Sequence, residues 1–235
     1  MKFHRATLDD CADTVGAAVV IDVLRAFTTA AYALAGGASK IALVSTVEEA
    51  FGLRGRFPDC FLTGEVGGLP PPGFDLGNSP AALEGMDLTG RTLVQRTTAG
   101  TQGVTRCLRA DPIYVSGFAT ARATAERLRA LAPEKITFVA TGVGPEAEGD
   151  ADLALADYLE ALLRSPSPDG GAGAPGLDAR PYLERVRRST HGRRFTLPMG
   201  SASPAADLAC AMRVDRFDFA MRVRRTEGLL LVEKA

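Results

Sequence analysis

The stretch VVIDVLRAFTTAAYALAGGA, Val19–Ala38, decides the fold. Val19, Val20 and Ile21, with Ala18 before them, read as a strand apolar on both faces, the pattern of a strand buried inside a parallel sheet. The small and apolar residues from Ala26 onward predict a helix over 26–35. Gly36-Gly37 then supplies the residue that ends a helix in the left-handed region. Strand, short polar turn and returning helix make one β–α unit.

The same order recurs along the chain. Short apolar runs predict strands at Lys40–Val44, Cys60–Leu62, Thr92–Val94, Ile113–Val115 and Ile136–Val139. Helical patterns fall between and after them, at 46–55, 102–110, 118–131 and 151–164. This alternation predicts an α/β fold with three α/β/α layers and a mostly parallel sheet, and two loop-rich connections leave room for a mixed one. Further on come a basic amphipathic stretch, Asp178–Arg188, a helix near Ala205–Met212, and a hairpin of Phe217–Val223 and Leu229–Val232 turning at Glu227-Gly228. The hairpin is read as a C-terminal extension of a single domain, 1–235, because the segment after the Pro/Gly-rich run 165–177 is too short for a core of its own. That run, SPSPDGGAGAPGL, has the composition of a flexible loop.

The bulk composition excludes several function classes. A net charge of −1 argues against a dominant nucleic-acid or anionic-membrane surface. No stretch approaches the ~20 apolar residues that span a bilayer. Val15–Leu24 contains Asp22 and has no basic lead, so it does not read as a signal peptide. A cytoplasmic protein is expected. The four cysteines form no CxxC pair, and only two histidines, His4 and His191, are present. Any metal should therefore be a hard one bound by oxygen.

The chemistry collects at strand ends, where open α/β sheets bind their ligands. Asp22 closes a run of Ala, Val and Ile, and a carboxylate there is costly to desolvate unless a cation or hydrogen-bond donors meet it. Arg25 suits the second role or, through its planar fork, an oxyanion. Thr28 and Thr29 lie in the first turns of the next helix. Glu65 follows Gly64 and precedes a Pro/Gly-rich loop that ends in Asn78-Ser79-Pro80, a helix start with Ser79 as N-cap and Pro80 at N1. Arg96-Thr97-Thr98-Ala99-Gly100-Thr101 sets hydroxyls and loose backbone where a helix begins, suited to a phosphate or to simple capping by Thr98 or Thr101. Asp152 shares a helix face with Leu155, Ala156, Leu159 and Leu163, so its carboxylate lies on the stripe that should be buried. His191 reads as a packing or surface residue.

Four of these segments together resemble the 2-phosphosulfolactate phosphatase (ComB) family: Val19–Ala38, the Gly64-Glu65 loop ending in GFDLGNSP (Gly73–Pro80), RTTAGTQG (Arg96–Gly103), and the helix start at Asp152. A weaker likeness continues through Ser189–Gly192 to the region of Asp207. The resemblance implies a Mg²⁺-dependent hydrolase of 2-phospho-3-sulfolactate in coenzyme M biosynthesis. On that reading Asp22, Glu65 and Asp152 are the candidate Mg²⁺ ligands, and Asp22, Arg25 and Glu65 the catalytic set. Thr28, Thr29, Asn78, Ser79, Arg96, Thr97 and Thr98 would hold a small phosphorylated anion, in a protein for which a homodimer is the assembly considered. Asp22 serves equally as a nucleophile. This chain departs from the family pattern at Val66, Ala99 and Ala151, where an arginine, an asparagine and a glutamate are usual.

Three rivals are weaker. A haloacid-dehalogenase-type phosphatase needs a DxD pair, and Val23-Leu24 follows Asp22. Gly142-Val143-Gly144-Pro145-Glu146-Ala147 matches the GxGxxA of NAD-dependent oxidoreductases, with Pro145 and acids crowding the phosphate position. A non-catalytic anion-binding protein is the third.

Overall fold

The computed structural model describes residues 1–144, 147–165, 177–196 and 204–235. Most of the Pro/Gly-rich run, 166–176, lies outside them. Strand β2 (Gly16–Ile21) and helix α1 (Ala26–Ala35) form as their sequence predicts. Around them stand β1 (Lys2–Ala6), β3 (Lys40–Leu43), β4 (Phe61–Gly64), β5 (Thr92–Arg96), β6 (Ala110–Ser116) and β7 (Lys135–Ala140). A two-stranded piece, β8 (Val143–Gly144) and β9 (Ala147–Glu148), follows, and β10 (Met221–Thr226) and β11 (Leu229–Lys234) complete the described strands. β1 has no counterpart in the sequence reading: its Lys2, His4 and Arg5 mask the apolar signal of an edge strand. The helix expected over 102–110 is α4, Gly100–Arg106, and it stops early because Ala110 already belongs to β6.

Nine strands form one sheet in the order β1-β7-β2-β6-β10-β11-β3-β5-β4. The β10–β11 hairpin is therefore no appendage. β10 pairs antiparallel with β6 and β11 antiparallel with β3, so the last segment of chain joins two parallel blocks. Three successive antiparallel junctions set the blocks in opposite nominal senses. The expectation of one shared row of carboxyl ends needs correcting accordingly. The ends of β2 and β5 meet all the same, as the contact between Gly100 and Asp22 below shows, because twist accumulates across so many strands.

Strand alternation sorts the core into layers. Ala18 and Val20 of β2, Ile113 and Val115 of β6, and Ile41 and Leu43 of β3 face α1, α4 and α3 (Pro80–Leu83). Ala17, Val19 and Ile21 face the other way, against α5 (Ala121–Leu131) and α6 (Asp150–Arg164). Under the second block, Ala42, Val94 and Leu231 pack with Ala50 of α2 (Val47–Gly52). Phe27, Phe118, Phe138 and Tyr158 are among the largest fully buried side chains, each stabilising by about 1.5–3 kcal/mol on area grounds. Helices α7 (Arg180–Arg188), α8 (Thr190–Arg194) and α9 (Pro204–Ala211) return the chain to the first block. No helix of the described residues is long and apolar enough to cross a membrane.

Candidate active site

Asp22 stands one residue beyond β2, on the α1/α4 side of the sheet, and is 7% exposed. Its Oδ1 accepts from the Ala26 N–H at 3.0 Å, which ties the carboxylate to the first turn of α1. The pair with Arg25 does not form. Gly100 makes room for the other oxygen, since a Cβ there would come within 2.7 Å of Asp22 Oδ2 and 2.6 Å of Ala26 Cβ. Any larger residue would expel the acid or the helix.

Asp152 reaches the same place from α6. Leu155, Ala156, Leu159 and Leu163 on its helical stripe are all buried, as the spacing predicts. Its Oδ1 accepts from the Val23 N–H at 2.9 Å and its Oδ2 from the Gly142 N–H at 2.8 Å. Asp152 thereby links the ends of β2 and β7. Burial, and then the charge of Asp152, pushes the Asp22 carboxyl up to about 8. Burial likewise raises Asp152 to about 6, against the pull of its backbone donors. Two acids share one poorly hydrated place with no cation beside them.

Both line an open cleft of about 330 Å³, counted out into solvent, together with Leu24, Ala99, Gly142, Gly149, Ala151 and His191. Two of the three departures from the family pattern, Ala99 and Ala151, are thus wall residues. His191 also belongs to the wall. Burial, then Arg194, lowers its pKa, so the ring is neutral at pH 7. The one sequence signal for His191 was its place in Ser189–Gly192.

Glu65 lies close enough for its charge to raise Asp22, although it does not line the cleft. It follows Gly64, whose φ is +132° and where a Cβ would sit 1.8 Å from the Arg96 carbonyl oxygen, so only glycine brings β4 this close to β5. Glu65 Oε1 accepts from Thr98 N–H at 2.6 Å. Its Oε2 accepts from the Thr98 hydroxyl at 2.9 Å and from Gly68 N–H at 2.6 Å. Glu65 and Thr98 form a clamp across two loops.

The expected anion-holding residues divide. Thr97 is fully buried and closed on Thr101: each backbone N–H meets the other's hydroxyl, at 2.9 and 3.0 Å. Those bonds build the turn before α4, and the capping position itself is Ala99. Arg96 donates to the carbonyls of Ser45 and Glu65. Thr28 donates to the Val23 carbonyl at 2.8 Å. Thr29 Oγ1 and Asn78 Oδ1 are buried without a partner among the described residues. Ser79 does cap α3, accepting from Ala82 N–H, with Pro80 at the first helical position.

Arg25 and Ser79 converge on a residue that sequence reasoning did not select, Asp207 of α9. Asp207 is 1% exposed, with Oδ2 accepting from Arg25 Nη1 at 2.5 Å and Oδ1 from the Ser79 hydroxyl at 2.6 Å and the Ala81 N–H at 3.1 Å. The Phe195 ring lies 5.0 Å from the Arg25 guanidinium carbon. Its signal was an aspartate on a helix face shared with Cys210 and Ala211.

Among the described residues, no three His, Cys, Asp or Glu side chains close on one point as a ready metal cage. The donor chemistry fits a hard cation in a more open way. Mg²⁺ is commonly held by one or two carboxylates and completes its shell with waters and substrate phosphate. Asp22 and Asp152 supply such a pair, and a cation would remove the repulsion that raises Asp22. Glu65, with both oxygens committed to the clamp, stands further out. Of the GxGxxA match, Pro145 and Glu146 lie outside the described residues; around them β8 and β9 follow Gly142, α6 begins only at Asp150, and the Gly142 N–H is taken by Asp152.

The 2-phosphosulpholactate phosphatase family model matches residues 3–226. The chain is 33% identical over 216 residues to a "Probable 2-phosphosulfolactate phosphatase" of Bacillus subtilis, covering 92% of this chain and 90% of that one. A protein of the same description from Deinococcus radiodurans is 37% identical over 212 residues, 85% of each chain. A third, from Carboxydothermus hydrogenoformans, is 33% identical over 224 residues, covering 93% and 91%.

Proposed function

The chain belongs to the 2-phosphosulpholactate phosphatase family, and from that premise we propose that it is a Mg²⁺-dependent phosphatase that converts 2-phospho-3-sulfolactate to 3-sulfolactate and phosphate. The observation that carries the reading is the pair of buried acids, Asp22 and Asp152, on one cleft wall. In hydrolysis a bond forms between phosphorus and a water oxygen, and the bond from phosphorus to the hydroxy-acid oxygen breaks. One water proton ends on the departing oxygen.

Asp22 and Asp152 would hold Mg²⁺, which when bound supplies neutralisation of phosphate charge and a polarised water. The chain's own work is positional. Asp152 fixes the ends of β2 and β7 through two backbone donors, so the acids keep their separation as charge changes. Asp22 carries the less committed oxygen and is the residue nearest the chemistry, as metal ligand or as nucleophile. Arg25 offers donors to a phosphoryl or sulfonate oxygen, where charge stabilisation supplies most of the acceleration. Small walls at Ala99, Gly142 and Gly149 leave space for a compact three-carbon acid.

Phosphate release from the chelator-treated protein, with and without added Mg²⁺, tests this on 2-phospho-3-sulfolactate, phospholactate and 2-phosphoglycerate. Rapid, metal-dependent release with preference for the sulfonated acid is expected. Equal release without a divalent ion would remove the metal from the proposal, and no release from any of the three would remove the reaction.

A further inference from the structure

The geometry points to Asp207 as a positioning residue that, with Phe195, holds Arg25 ready for an anionic oxygen of the substrate; the inference rests on the reading of Arg25 as an oxyanion-binding residue. The two carboxylate oxygens of Asp207 have separate tasks. Oδ1 serves the start of α3, through Ser79 and Ala81, and Oδ2 serves Arg25 alone. Arg25 in turn meets no other hydrogen-bond acceptor among the described residues, so one of its five N–H donors is committed. Its side chain is 14% exposed; the residue before it, Leu24, lines the cleft, and Arg25 itself is not a wall residue. A guanidinium gripped at one nitrogen, with Phe195 against it, has already given up its rotamer freedom. An anion that meets the remaining donors does not have to order it.

Asp207 and Phe195 come from the return segment of the chain, 182 residues from Arg25 in the case of Asp207. His191, on the cleft wall, comes from the same segment. That segment therefore completes a site whose acids are contributed from elsewhere.

Asp207→Asn separates positioning from folding. An amide oxygen at the Oδ1 place still accepts from Ser79 and Ala81, whereas an NH₂ at the Oδ2 place cannot accept from Arg25. Inorganic phosphate is titrated by calorimetry into the full Mg²⁺-loaded chain, as wild type, D207N, F195L, R25A and the double variant R25A/D207N. The expected result is phosphate affinity about tenfold weaker in D207N, the scale of one charge-assisted contact, and a few-fold weaker in F195L. The double variant should bind no more weakly than R25A, because Asp207 acts through Arg25. In turnover, kcat should fall at least as much as KM rises, because the same donors meet the charge that develops in the transition state. Wild-type affinity in D207N would overturn the inference, as would a loss equally large in the R25A background, or an absence of phosphate binding by the wild type. If D207N does not fold, F195L carries the comparison by the same criteria. Should the wild type bind phosphate with this pattern yet hydrolyse none of the phosphorylated acids, the proposed reaction fails and the positioning role stands.

Discussion

Asp207 and Asp22 are both aspartates buried beside the first turn of a helix, and their surroundings could hardly differ more. Asp207 has a guanidinium, a hydroxyl and a backbone N–H, which satisfy both of its oxygens. Asp22 has only backbone N–H groups, of Ala26 and Gly100, and a second aspartate as its strongest charged neighbour. The difference teaches how to separate structure from chemistry. A buried carboxylate with its charge matched has a complete local explanation, whereas one raised to about 8 by burial and a like charge awaits a proton or a metal.

The largest effect should come from breaking the unmatched side. Asp22→Asn removes the charge and keeps the shape, so turnover should fall by about 10³-fold or more, while the chelator-treated protein at pH 8 should be as stable as wild type or more so. Steady-state phosphate release and thermal melting check the two halves. Activity within a few-fold of wild type would take Asp22 out of the chemistry altogether.

On the matched side the ranking reverses, with stability the main casualty. Asp207→Ala strands Arg25 without its partner and leaves the Ser79 hydroxyl and the Ala81 N–H without their acceptor, and breaking a buried pair in this way costs roughly 3–5 kcal/mol. Urea unfolding measures it; a loss under 1 kcal/mol would mean that solvent already compensates Arg25. Glu65→Gln falls between the two. The clamp to Thr98 and Gly68 loses its charge and one of its two acceptor oxygens, the NH₂ that replaces it facing a donor N–H, so about 2 kcal/mol of stability should go, the scale of a hydrogen bond to a charged group, with activity reduced several-fold.

The contrast also has a pH signature. Asp22 and Asp152 titrate higher in the folded protein than the 3.8 of an unperturbed carboxyl. Between about pH 4 and 8 the folded state therefore keeps protons that the unfolded chain has released. That contribution is complete below about pH 4, declines as pH passes through about 6, and is gone above about 8. Metal-free melting temperature should thus carry a component that falls across this window and is smaller in D22N. At the proposed site Mg²⁺ would compete with those protons, so its stabilisation should grow from pH 5 to pH 8. Calorimetry with and without chelator reads both trends, and a Mg²⁺ effect that ignores pH would place the ion elsewhere.

What sequence could disclose follows the same division. Asp22 and Asp152 were legible because one closes a continuous apolar run and the other sits on the apolar stripe of a helix, of period 3.6. Ser79-Pro80 was legible because capping is local. Asp207 was not, since nothing near it in the chain signals an arginine 182 residues away. The placing of the C-terminal hairpin was hidden for the same reason: two strands and their turn are a local pattern, whereas pairing with β6 and β3 is settled by long-range register. Local periodicity finds elements and misplaced charges. It does not find partners.

The smallest and most discriminating change concerns the cleft wall itself. Ala99 is half-buried at the start of α4 and contributes only a methyl group to the cleft. Ala99→Asn adds a donor and an acceptor without touching Asp22, Asp152 or the Thr97–Thr101 turn. At the N-cap of α4, where asparagine is a better residue than alanine, the change should leave stability equal or raise it by about 1 kcal/mol. The effect should therefore appear as selectivity: the ratio of kcat/KM between the sulfonated and carboxylated substrates should move by roughly threefold to tenfold, about the value of one hydrogen bond. An unchanged ratio would mean that this wall does not meet the substrate's anionic tail, and that the choice among phosphorylated acids is made at Arg25, on the side of the site that Asp207 holds in place.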